Sequence, residues 1–394
     1  MPAERVVRVS ASSAQFIAGG GRDAEIHTLH DQGASPGDHV RVVEDKTGDE
    51  VALAVADIEN GKLRVMALPS DGFAKIDGAL LGWRVERALA WRQQLGLVGP
   101  DTAYHLLHGG GDNVPGFTCD VLGKVAVIYA YSECLRALGK QLLDAVIGFA
   151  KLDGGVVKLR ARGSAGKDIV QDVAGKVDEA VVVTEHGVPY EVHPLAGLNV
   201  GLFTDMREHR RSLARFAAGK RVLNLFSYTG SLSIACARAG AAAVTSVDTS
   251  AGVQAWAQGN FIRSGLDWKD PKFKFETGEA GRYLARAVRD KERYDIVLID
   301  PPATSSAAGV PWVLGRDYPE LIAKAAEVIP SDGMLWLASN AVELGSLGKL
   351  AHKGLRVAKR SCAILEQGGL PPEYPTPAVQ QHDRYLQTCI LRLS

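Results

Sequence analysis

The carboxyl-terminal half of the sequence alternates short apolar runs with longer amphipathic stretches, and this pattern constrains the fold more than any other feature. The apolar runs read RVLNLF, AVTSVD, YDIVLID and GMLWLAS, with helical patterns over 251–264, 280–290 and 319–328. Strands that alternate with helices of about 10–15 residues are typical of βαβ units with a parallel sheet covered on both faces. The sequence therefore predicts a doubly wound α/β domain from about Glu185 onward, with the terminal run TCILRLS as an edge strand.

The preceding part of the chain has a different texture. Residues 1–70 contain short strand-like runs separated by the turns SPGD, KTGDE and ENGK. This spacing predicts a small β-barrel or sandwich. We therefore expect three domains, at 1–70, 71–184 and 185–394, with the last boundary near Val181–Glu185.

Residues 71–184 mix helical and strand-like patterns. An amphipathic helix is predicted over Leu80–Leu95, with Arg84, Glu86, Arg87 and Arg92 off its apolar stripe. Two strand-like runs follow over 104–131, and a second amphipathic helix is predicted over Leu135–Phe149. This segment is expected to form a central α+β domain.

Charge is balanced overall but unevenly distributed. Lys plus Arg and Asp plus Glu number 45 each, so net charge alone indicates neither a nucleic-acid nor a membrane partner. Residues 1–195 carry a net charge of −6, however, and residues 196–394 carry +6. A polyanion would therefore be attracted to the carboxyl-terminal half.

The cysteines and the hydropathy pattern exclude several classes of protein. The five cysteines are scattered singly, with no CxxC pair and no His at ligand spacing, which argues against a zinc site and a disulfide framework. No run reaches the roughly 18 apolar residues of a membrane span. The first residues, MPAERVVRVS, lack the apolar core of a signal peptide. We expect no metal, no membrane partner and a cytoplasmic location.

The turn at 224–231, NLFSYTGS, is the first of four informative strand ends. In open α/β sheets, ligands bind beyond the carboxyl ends of the strands. Small residues in this turn let the backbone approach a ligand, and the N–H groups of the following helix point toward it. The turn lacks the GxGxxG pattern that a pyrophosphate requires, which makes a nicotinamide dehydrogenase the least favoured class and favours a cofactor without phosphates.

Three further strand ends carry acidic residues. Asp248 follows Gly230 by 18 residues and can accept both hydroxyls of a ribose. Glu279 is placed to accept from an adenine amino group, and the Asp-Pro-Pro turn at 300–302 forms a rigid corner beside the reacting centre. A strand-ending acid is by itself more often a helix cap, but the ordered set of four favours a ligand site.

These motifs resemble those of the bacterial 23S rRNA large-subunit methyltransferases, both the stand-alone PUA-linked type and the fused guanine-N7 type. The resemblance rests on LNLFSYTGS, VDTS and DPP, with GLFTDMR and EHGVPYEVH upstream. It covers most of the chain from about residue 80, through HLLHGGGDNVPGFTCDVLGKVAVIYAY and PPEYPTP…RYLQTCILRL. It implies a Rossmann-like class I methyltransferase domain that uses S-adenosylmethionine, preceded by a PUA-like barrel and the central domain.

The resemblance also implies roles for individual residues. Three residues border the cofactor: Phe203, Asp205 and Arg207. The turn wraps the methionine part of the cofactor through Asn224, Phe226, Ser227, Tyr228, Thr229, Gly230 and Ser231. The remaining cofactor contacts are Asp248 at the ribose with Thr249 and Ser250, and Glu279 at the adenine with Ala280. The reacting centre comprises Asp300, which is also expected to contact the cofactor, Pro301, Pro302 and Asn340.

Two features depart from the family pattern. The family usually has a Lys-Thr pair before the glycine of GLFTD, where this chain has Asn199-Val200. The PUA module of the family begins with a basic, aromatic stretch, whereas this chain has SSAQFIAGGGRDAEIHTLHD. The second departure argues against RNA binding by residues 1–70.

The strand ends also bear on the atom that receives the methyl group. Carbon 5 of cytosine requires a cysteine thiolate that adds to the ring, and neither the Asp-Pro-Pro turn nor Ser339-Asn340 supplies one. Exocyclic amines usually call for an aromatic residue after the two prolines, where Ala303 stands. A ring nitrogen requires neither device, and Ser339-Asn340 resembles the guanine-N7 half of the fused enzyme. The alternative that Asn340 caps a turn stays open.

The sequence therefore predicts an RNA methyltransferase that acts on a base of 23S rRNA, with guanine N7 favoured over carbon 5 of cytosine. One alternative is a small-molecule methyltransferase of the same fold, which the neutral composition supports. Another is a non-catalytic RNA-associated module that binds the cofactor. The expected partner is RNA, and a homodimer is left open.

Overall fold

The computed structural model describes residues 5–26, 29, 31–160, 169–197, 199–302, 304–305, 312–341 and 345–394. The chain divides into two compact units. Unit one comprises Met1–Glu185, Val192–Val200 and Pro372–Asp383. Unit two comprises His186–Glu191, Gly201–Pro371 and Arg384–Ser394. No helix among the described residues is long and apolar enough to cross a membrane.

The amino-terminal part of unit one is a five-stranded sheet. Its elements are β1 (Arg5–Val9), α1 (Ala11–Ala18), β2 (Asp23–Glu25), β3 (His39–Glu44), β4 (Glu50–Asp57) and β5 (Lys62–Ala67). The strand order is β1-β3-β4-β5-β2, with β1 parallel to β3 and the other pairs antiparallel. Strands β1, β3, β4 and β5 correspond to the predicted runs, whereas α1 and β2 were not predicted.

The rest of unit one packs two helices on a second five-stranded sheet. Its elements are α2 (Gly78–Gln94), β6 (Ala103–His108), β7 (Phe117–Leu122), β8 (Val125–Ala130), α3 (Arg136–Ala150), β9 (Gly154–Leu159) and β10 (Ile169–Gly175). The strand order is β10-β9-β8-β7-β6, and only the β8–β9 pair is parallel.

Strands β4 and β5 form a wall shared by the two parts of unit one. Successive side chains of a strand point to opposite faces. Ala52 and Ala54 accordingly join the core of the first sheet, while Leu53 and Val55 join the core of α2, α3 and the second sheet. The two parts therefore bury apolar surface against each other across this wall.

A buried ionic cluster reinforces that wall. Arg64 on β5 donates to Asp57 at 2.6 Å and to Asp23 at 2.6 Å, and Ser132 also donates to Asp57 at 2.9 Å. Asp57 is completely buried. Because its carboxylate accepts from both parts, residues 1–70 and 71–184 are held together by polar contacts as well as by apolar packing.

Arg84 and Arg92 lie off the apolar stripe of the first helix, and such a position predicts exposure to solvent. Both residues are instead buried. Arg84 donates to the carbonyl of Met66 at 2.8 Å and to Asp71 at 2.7 Å. Arg92 forms a bidentate pair with Asp112 at 2.6 and 2.8 Å. Each guanidinium is tolerated in the interior because a carboxylate and at least one backbone carbonyl accept hydrogen bonds from it, although the Nε atom of Arg84 has no partner among the described residues.

Unit two is built mainly from a seven-stranded sheet with helices. A hairpin of β11 (Val181–Glu185) and β12 (Val188–Val192) precedes its helical and strand elements. The helices are α4 (Arg207–Ala217), α5 (Ser231–Arg238), α6 (Ala251–Arg263), α7 (Ala280–Arg289), α8 (Leu314–Val328) and α9 (Leu347–Val357). The strands are β13 (Arg221–Leu225), β14 (Ala243–Asp248), β15 (Phe273–Thr277), β16 (Ile296–Ile299), β17 (Thr304–Ser305), β18 (Trp312–Val313), β19 (Met334–Ser339), β20 (Cys362–Gly369) and β21 (Gln387–Leu393).

The main sheet has the order β15-β14-β13-β16-β19-β21-β20. The first five strands in this order, β15, β14, β13, β16 and β19, run parallel, and β21 is antiparallel to both of its neighbours. This arrangement confirms the predicted doubly wound α/β fold. The prediction of the terminal run as an edge strand was wrong, because β20 pairs outside it. The run around Cys362 is strand-like in the sequence, but the sequence alone does not show that β20 pairs outside β21.

Candidate functional site

The carboxyl ends of the parallel strands meet at one edge of the sheet, which we call the site edge. Leu225, Asp248, Thr277, Ile299 and Ser339 are the final residues of β13, β14, β15, β16 and β19. The chain moves outward in one direction through β14 and β15 and in the other through β16 and β19. The edge beside β13 and β16 is therefore the topological switch point, where a crevice for ligands forms in such sheets.

The turn that follows β13 has an unusual backbone. Phe226 and Tyr228 adopt positive φ angles of 60° and 48°, and Gly230 has a φ of 81°. The left-handed region costs about 1–2 kcal/mol per non-glycine residue, so surrounding contacts must hold the turn. The N–H of Ser227 donates to the carbonyl of Val247 at 2.9 Å, and that of Tyr228 to Asp248 at 2.9 Å. Such constrained conformations cluster at ligand sites.

Two predicted residues of this turn form a buried polar support. Asn224 donates to Ser233 at 2.9 Å, and Ser233 in turn lies 2.7 Å from the hydroxyl of Ser246. Thr229 donates to the carbonyl of Gly201 at 2.5 Å. Asn224 and Thr229 have no exposed surface, and the hydrogen bonds that they form hold the turn in place.

The same turn contains buried polar atoms whose bonding capacity is unused. Among the described residues, the Ser227 hydroxyl and the Asn224 Oδ1 atom are buried and have no hydrogen-bond partner. A buried polar atom without a partner costs about 1–3 kcal/mol. These two atoms are therefore candidates to bind polar groups of a ligand.

Aromatic side chains flank the turn. The ring of Phe203, which is 43% exposed, lies 5.4 Å from the ring of Tyr228, and Tyr228 lies 6.3 Å from Trp256. Gly201 has a φ of 111°, and a Cβ atom there would lie 2.3 Å from the Trp256 ring. Glycine is thus required at 201 for both conformation and space. Trp256 was not predicted, because a single aromatic residue in a helix carries no signal.

Asp248 lies at the end of β14 with part of its surface exposed. One carboxylate oxygen accepts from Tyr228, as above, and the other accepts from the N–H of Ser250 at 3.1 Å. The Ser250 hydroxyl caps α6 by accepting from Val253 at 3.3 Å, and Thr249 is exposed. Each carboxylate oxygen keeps a further acceptor position, so Asp248 remains able to bind hydroxyls.

Glu279 is the amino-terminal cap of α7. Its carboxylate accepts from the N–H groups of Gly281 at 2.8 Å and Arg282 at 2.9 Å. Ala280 beside it is buried. The contacts that Glu279 makes are therefore those of a helix cap. The binding of an adenine by Glu279 remains a proposal.

Asp205, just before α4, and two arginines in the first turns of α4 lie near the same edge. Asp205 accepts from the Tyr385 hydroxyl at 2.8 Å. Arg210 donates to the carbonyl of Phe203 at 2.8 Å, and the buried Arg207 donates to Glu208 at 3.3 Å. The sequence did not predict a role for Tyr385, which lies in the RYLQT run. Its contact with Asp205 joins residues that are 180 positions apart in the chain.

Asp300 follows β16 and is only partly exposed. Burial, together with the negative charge of Asp205, raises the pKa of Asp300 to about 7, although Arg210 opposes the shift. Pro301 is buried and Pro302 is exposed. Ala303, on which the argument about exocyclic amines depends, lies outside the described residues.

Tyr318 on α8 spans the two strand ends that carry the predicted reacting centre. Its hydroxyl lies 2.9 Å from the carbonyl of Ile299 and 2.9 Å from that of Ala338. One hydroxyl proton can serve only one of these carbonyls at a time. The fully buried Tyr318 therefore fixes the spacing between β16 and β19. Sequence reasoning missed it, since RDYPE carries no motif.

Asn340 lies just beyond β19 and is exposed. The N–H of Ala341 donates to the Ser339 hydroxyl at 3.2 Å. The turn is therefore capped by Ser339, and no hydrogen bond is formed by the Asn340 side chain within the described part of the chain. This leaves its amide available at the site edge.

Known proteins resemble the chain over most of its length. A family model described as S-adenosylmethionine-dependent methyltransferase matches residues 106–383. A Bacillus subtilis (strain 168) protein named as a candidate ribosomal RNA large subunit methyltransferase, YwbD, is 26% identical and covers 90% of this chain and 91% of its own length. Ribosomal RNA large subunit methyltransferase K of Neisseria meningitidis serogroup B is 30% identical over 66% of this chain and 74% of its own. The crystal structure of SMU.776, described as a methyltransferase complexed with SAH, shares the fold at 22% identity, with a TM-score of 0.84 over 98% of this chain and 99% of its own.

Proposed function

Because the chain belongs to the family of S-adenosylmethionine-dependent methyltransferases, we propose that it methylates a base of large-subunit ribosomal RNA. The protein is an enzyme, and S-adenosylmethionine is its cofactor. The RNA substrate is supported by relatives named as ribosomal RNA large subunit methyltransferases, one of which matches 90% of the chain. Guanine N7 is the atom that we favour.

The site edge fits this cofactor. When bound, the cofactor supplies a methyl group carried on a positively charged sulfur. We propose that Asp248 binds the ribose hydroxyls, while Ser227 and Asn224 offer their unpartnered oxygens to the amino acid part. Phe203 is the exposed aromatic residue beside them, and Glu279 is our candidate at the adenine.

The observation that carries the choice of atom is the position of Asp300 and Asn340 just beyond the neighbouring strands β16 and β19. Methyl transfer places positive charge on a ring nitrogen, and a carboxylate at Asp300 would stabilise that charge where it develops. Asn340 offers both a donor and an acceptor to the base edge. Tyr318 keeps the two residues at a fixed spacing, which holds the base ready for in-line attack.

The positions of the cysteines argue against covalent catalysis at cytosine. Cys236 on α5 and Cys389 on β21 are buried, and burial raises their pKa values to about 12 and about 11. Cys362 pairs with Leu393, at the end of the sheet opposite to the site. Burial also raises the pKa values of Cys119 and Cys134. A thiol that stays protonated, or lies at the wrong edge, cannot serve as the nucleophile.

A cysteine-free variant tests the choice of atom. We expect the replacement of all five cysteines by Ala or Ser to leave turnover within about threefold in protein that remains folded, because no thiol enters the proposed reaction. The parallel measurement is incubation of the wild-type protein with 5-fluorocytosine-substituted RNA. A protein–RNA adduct that a single Cys→Ala change abolishes would move the assignment to carbon 5 of cytosine.

Two finer points of architecture belong to the same proposal. We propose that residues 1–70 are a PUA-like barrel. The five-stranded sheet with its parallel β1–β3 pair is compatible with this proposal. Their net negative charge, with 11 acidic and 7 basic residues, supports a scaffolding role for this part instead of RNA binding.

A further inference from the structure

Helix α9 carries a row of basic residues on one exposed face. Lys349, Lys353 and Arg356 are spaced by four and three residues, which places them on the same side of a helix. Lys359 follows directly after the helix. No acidic residue occurs between Leu347 and Arg360. We call Lys349, Lys353 and Arg356 the α9 stripe.

The α9 stripe is exposed and has no partner within the described parts of the chain. None of its side chains forms an ion pair or a hydrogen bond there, and all three residues are exposed. The packed neighbour α8 exposes Arg316, Glu320, Lys324 and Glu327, whose formal charges sum to zero. Glu366 on the adjacent strand is already paired with Arg215. Glu343, which precedes α9 in the sequence, lies outside the described residues.

Helix α7 provides an internal comparison. Arg282, Arg286 and Arg289 repeat the same spacing of four and three residues. Here, however, Arg286 pairs with Glu276 at 2.9 Å and Arg289 pairs with Asp290 at 2.8 Å. The charges of α7 are therefore largely neutralised, whereas those of the α9 stripe are not.

The α9 stripe begins at the site edge. Strand β19 ends at Ser339, which pairs with Gln387 in the sheet. The Gln387 side chain accepts from the first N–H of α9, that of Leu347, at 3.4 Å. Lys349 therefore lies near the edge that carries Asp300 and Asn340, and the stripe extends away from it for about 10 Å.

We propose that the α9 stripe binds the phosphate backbone of the RNA next to the nucleotide that is methylated. A row of unneutralised cations that leads away from an active site is complementary to a polyanion, and its length spans several phosphates of a strand. This inference rests on the proposed function and adds the surface along which the substrate lies. The binding would position the RNA without reading its sequence.

The test compares two triple variants of equal charge and equal spacing. One carries Lys349→Gln, Lys353→Gln and Arg356→Gln, and the control carries Arg282→Gln, Arg286→Gln and Arg289→Gln. Binding to a transcript of large-subunit rRNA is measured over a range of salt concentrations, together with steady-state methylation, SAH affinity and light scattering. At 0.1 M salt we expect the α9 variant to bind RNA about 10–100-fold more weakly, with a salt slope smaller by about 2.

The expected pattern separates binding from chemistry. In the α9 variant, KM for RNA should rise while kcat at saturating RNA and the affinity for SAH stay unchanged, and the α7 control should stay within threefold of wild type. Equal effects in both variants, or none in either, would overturn the inference while leaving the proposed function intact. Failure of the wild-type protein to methylate any RNA would refute the proposed function itself. Intact RNA binding with a changed oligomeric state would show that the stripe binds another protein chain, which also overturns the inference.

Discussion

Replacing Asp300 with Asn is expected to lower the rate of methyl transfer by about 100-fold or more. The substitution keeps the size of the side chain but removes the charge that would stabilise the methylated base, and loss of one preorganised electrostatic contact typically costs a factor of about 10²–10³. Affinity for SAH, which has no positively charged sulfur, should change by less than threefold. Single-turnover methylation and calorimetry with SAH measure the two quantities.

Loss of folding would not account for that result. Burial and Asp205 disfavour the ionised form of Asp300, as its raised pKa shows. A neutral Asn removes this unfavourable charge, so thermal stability at pH 8 should be equal to or higher than that of the wild type. An Asn variant that is stable, binds SAH and methylates RNA at the wild-type rate would remove Asp300 from the reacting centre.

The pH profile of the same step provides an independent readout. With a pKa of about 7, the Asp300 carboxyl is half protonated at neutral pH, and only the ionised form can stabilise positive charge. The value of kcat/KM should therefore rise with pH to an inflection near 7, because kcat/KM reports groups of the free enzyme. The other charged groups that act on Asp300 are Asp205, which raises this pKa, and Arg210, which lowers it. An identical acid limb in the wild type and the Asn variant would contradict the assignment.

The second large effect is expected in unit one, where Arg92→Met should lower the free energy of unfolding by about 3–5 kcal/mol. Removal of one partner of a buried ion pair leaves the other charge unpaired in the interior. Arg92 has no exposed surface, and besides Asp112 it donates to the carbonyls of His105 at 2.9 Å and Glu373 at 2.5 Å. Urea unfolding followed by hydrogen exchange can measure the loss in unit one separately from unit two.

A matched control for this prediction lies on the same helix. Arg87 is exposed, with its guanidinium 5.0 Å from the centre of the Trp83 ring, so Arg87→Met should change stability by less than about 1 kcal/mol. Adding Asp112→Leu to Arg92→Met should restore part of the loss, because it removes the unpaired carboxylate. Similar stability of the Arg92 and Arg87 variants would show that the buried pair contributes little.

For unit two, the sequence predicted which segments form strands and helices better than it predicted which strands lie side by side in the sheet. Periodicity located β13, β14, β16 and β19 and the helices between them, because each pattern is local. Strand order is not local, which explains why β21 was placed at the edge. For the same reason, the run around Cys362 was recognised as strand-like, but the position of β20 outside β21 was not predicted.

The candidate site shows the same difference between local sequence patterns, which could be predicted, and contacts that form only on folding. The positions of Asp248, Glu279, Asp300 and Asn340 at strand ends could be predicted because such ends are visible in the sequence of a doubly wound sheet, and the roles of these residues stay predictions. The contacts of Tyr318 and Arg92 were not found, since a buried polar side chain reveals its role only through partners that folding supplies. The pKa of Asp300 likewise depends on Asp205, 95 residues earlier in the chain.

The central claim is tested most directly by the methylated product. The purified protein is incubated with isotope-labelled S-adenosylmethionine and large-subunit rRNA from cells that lack the gene, and the digested nucleosides are identified by mass spectrometry. We predict labelled 7-methylguanosine, at close to one per rRNA molecule, and none with the Asp300→Asn variant over the same time. Label in 5-methylcytidine would contradict the proposed atom, and a protein that binds the cofactor but transfers no label to rRNA would contradict the proposed substrate.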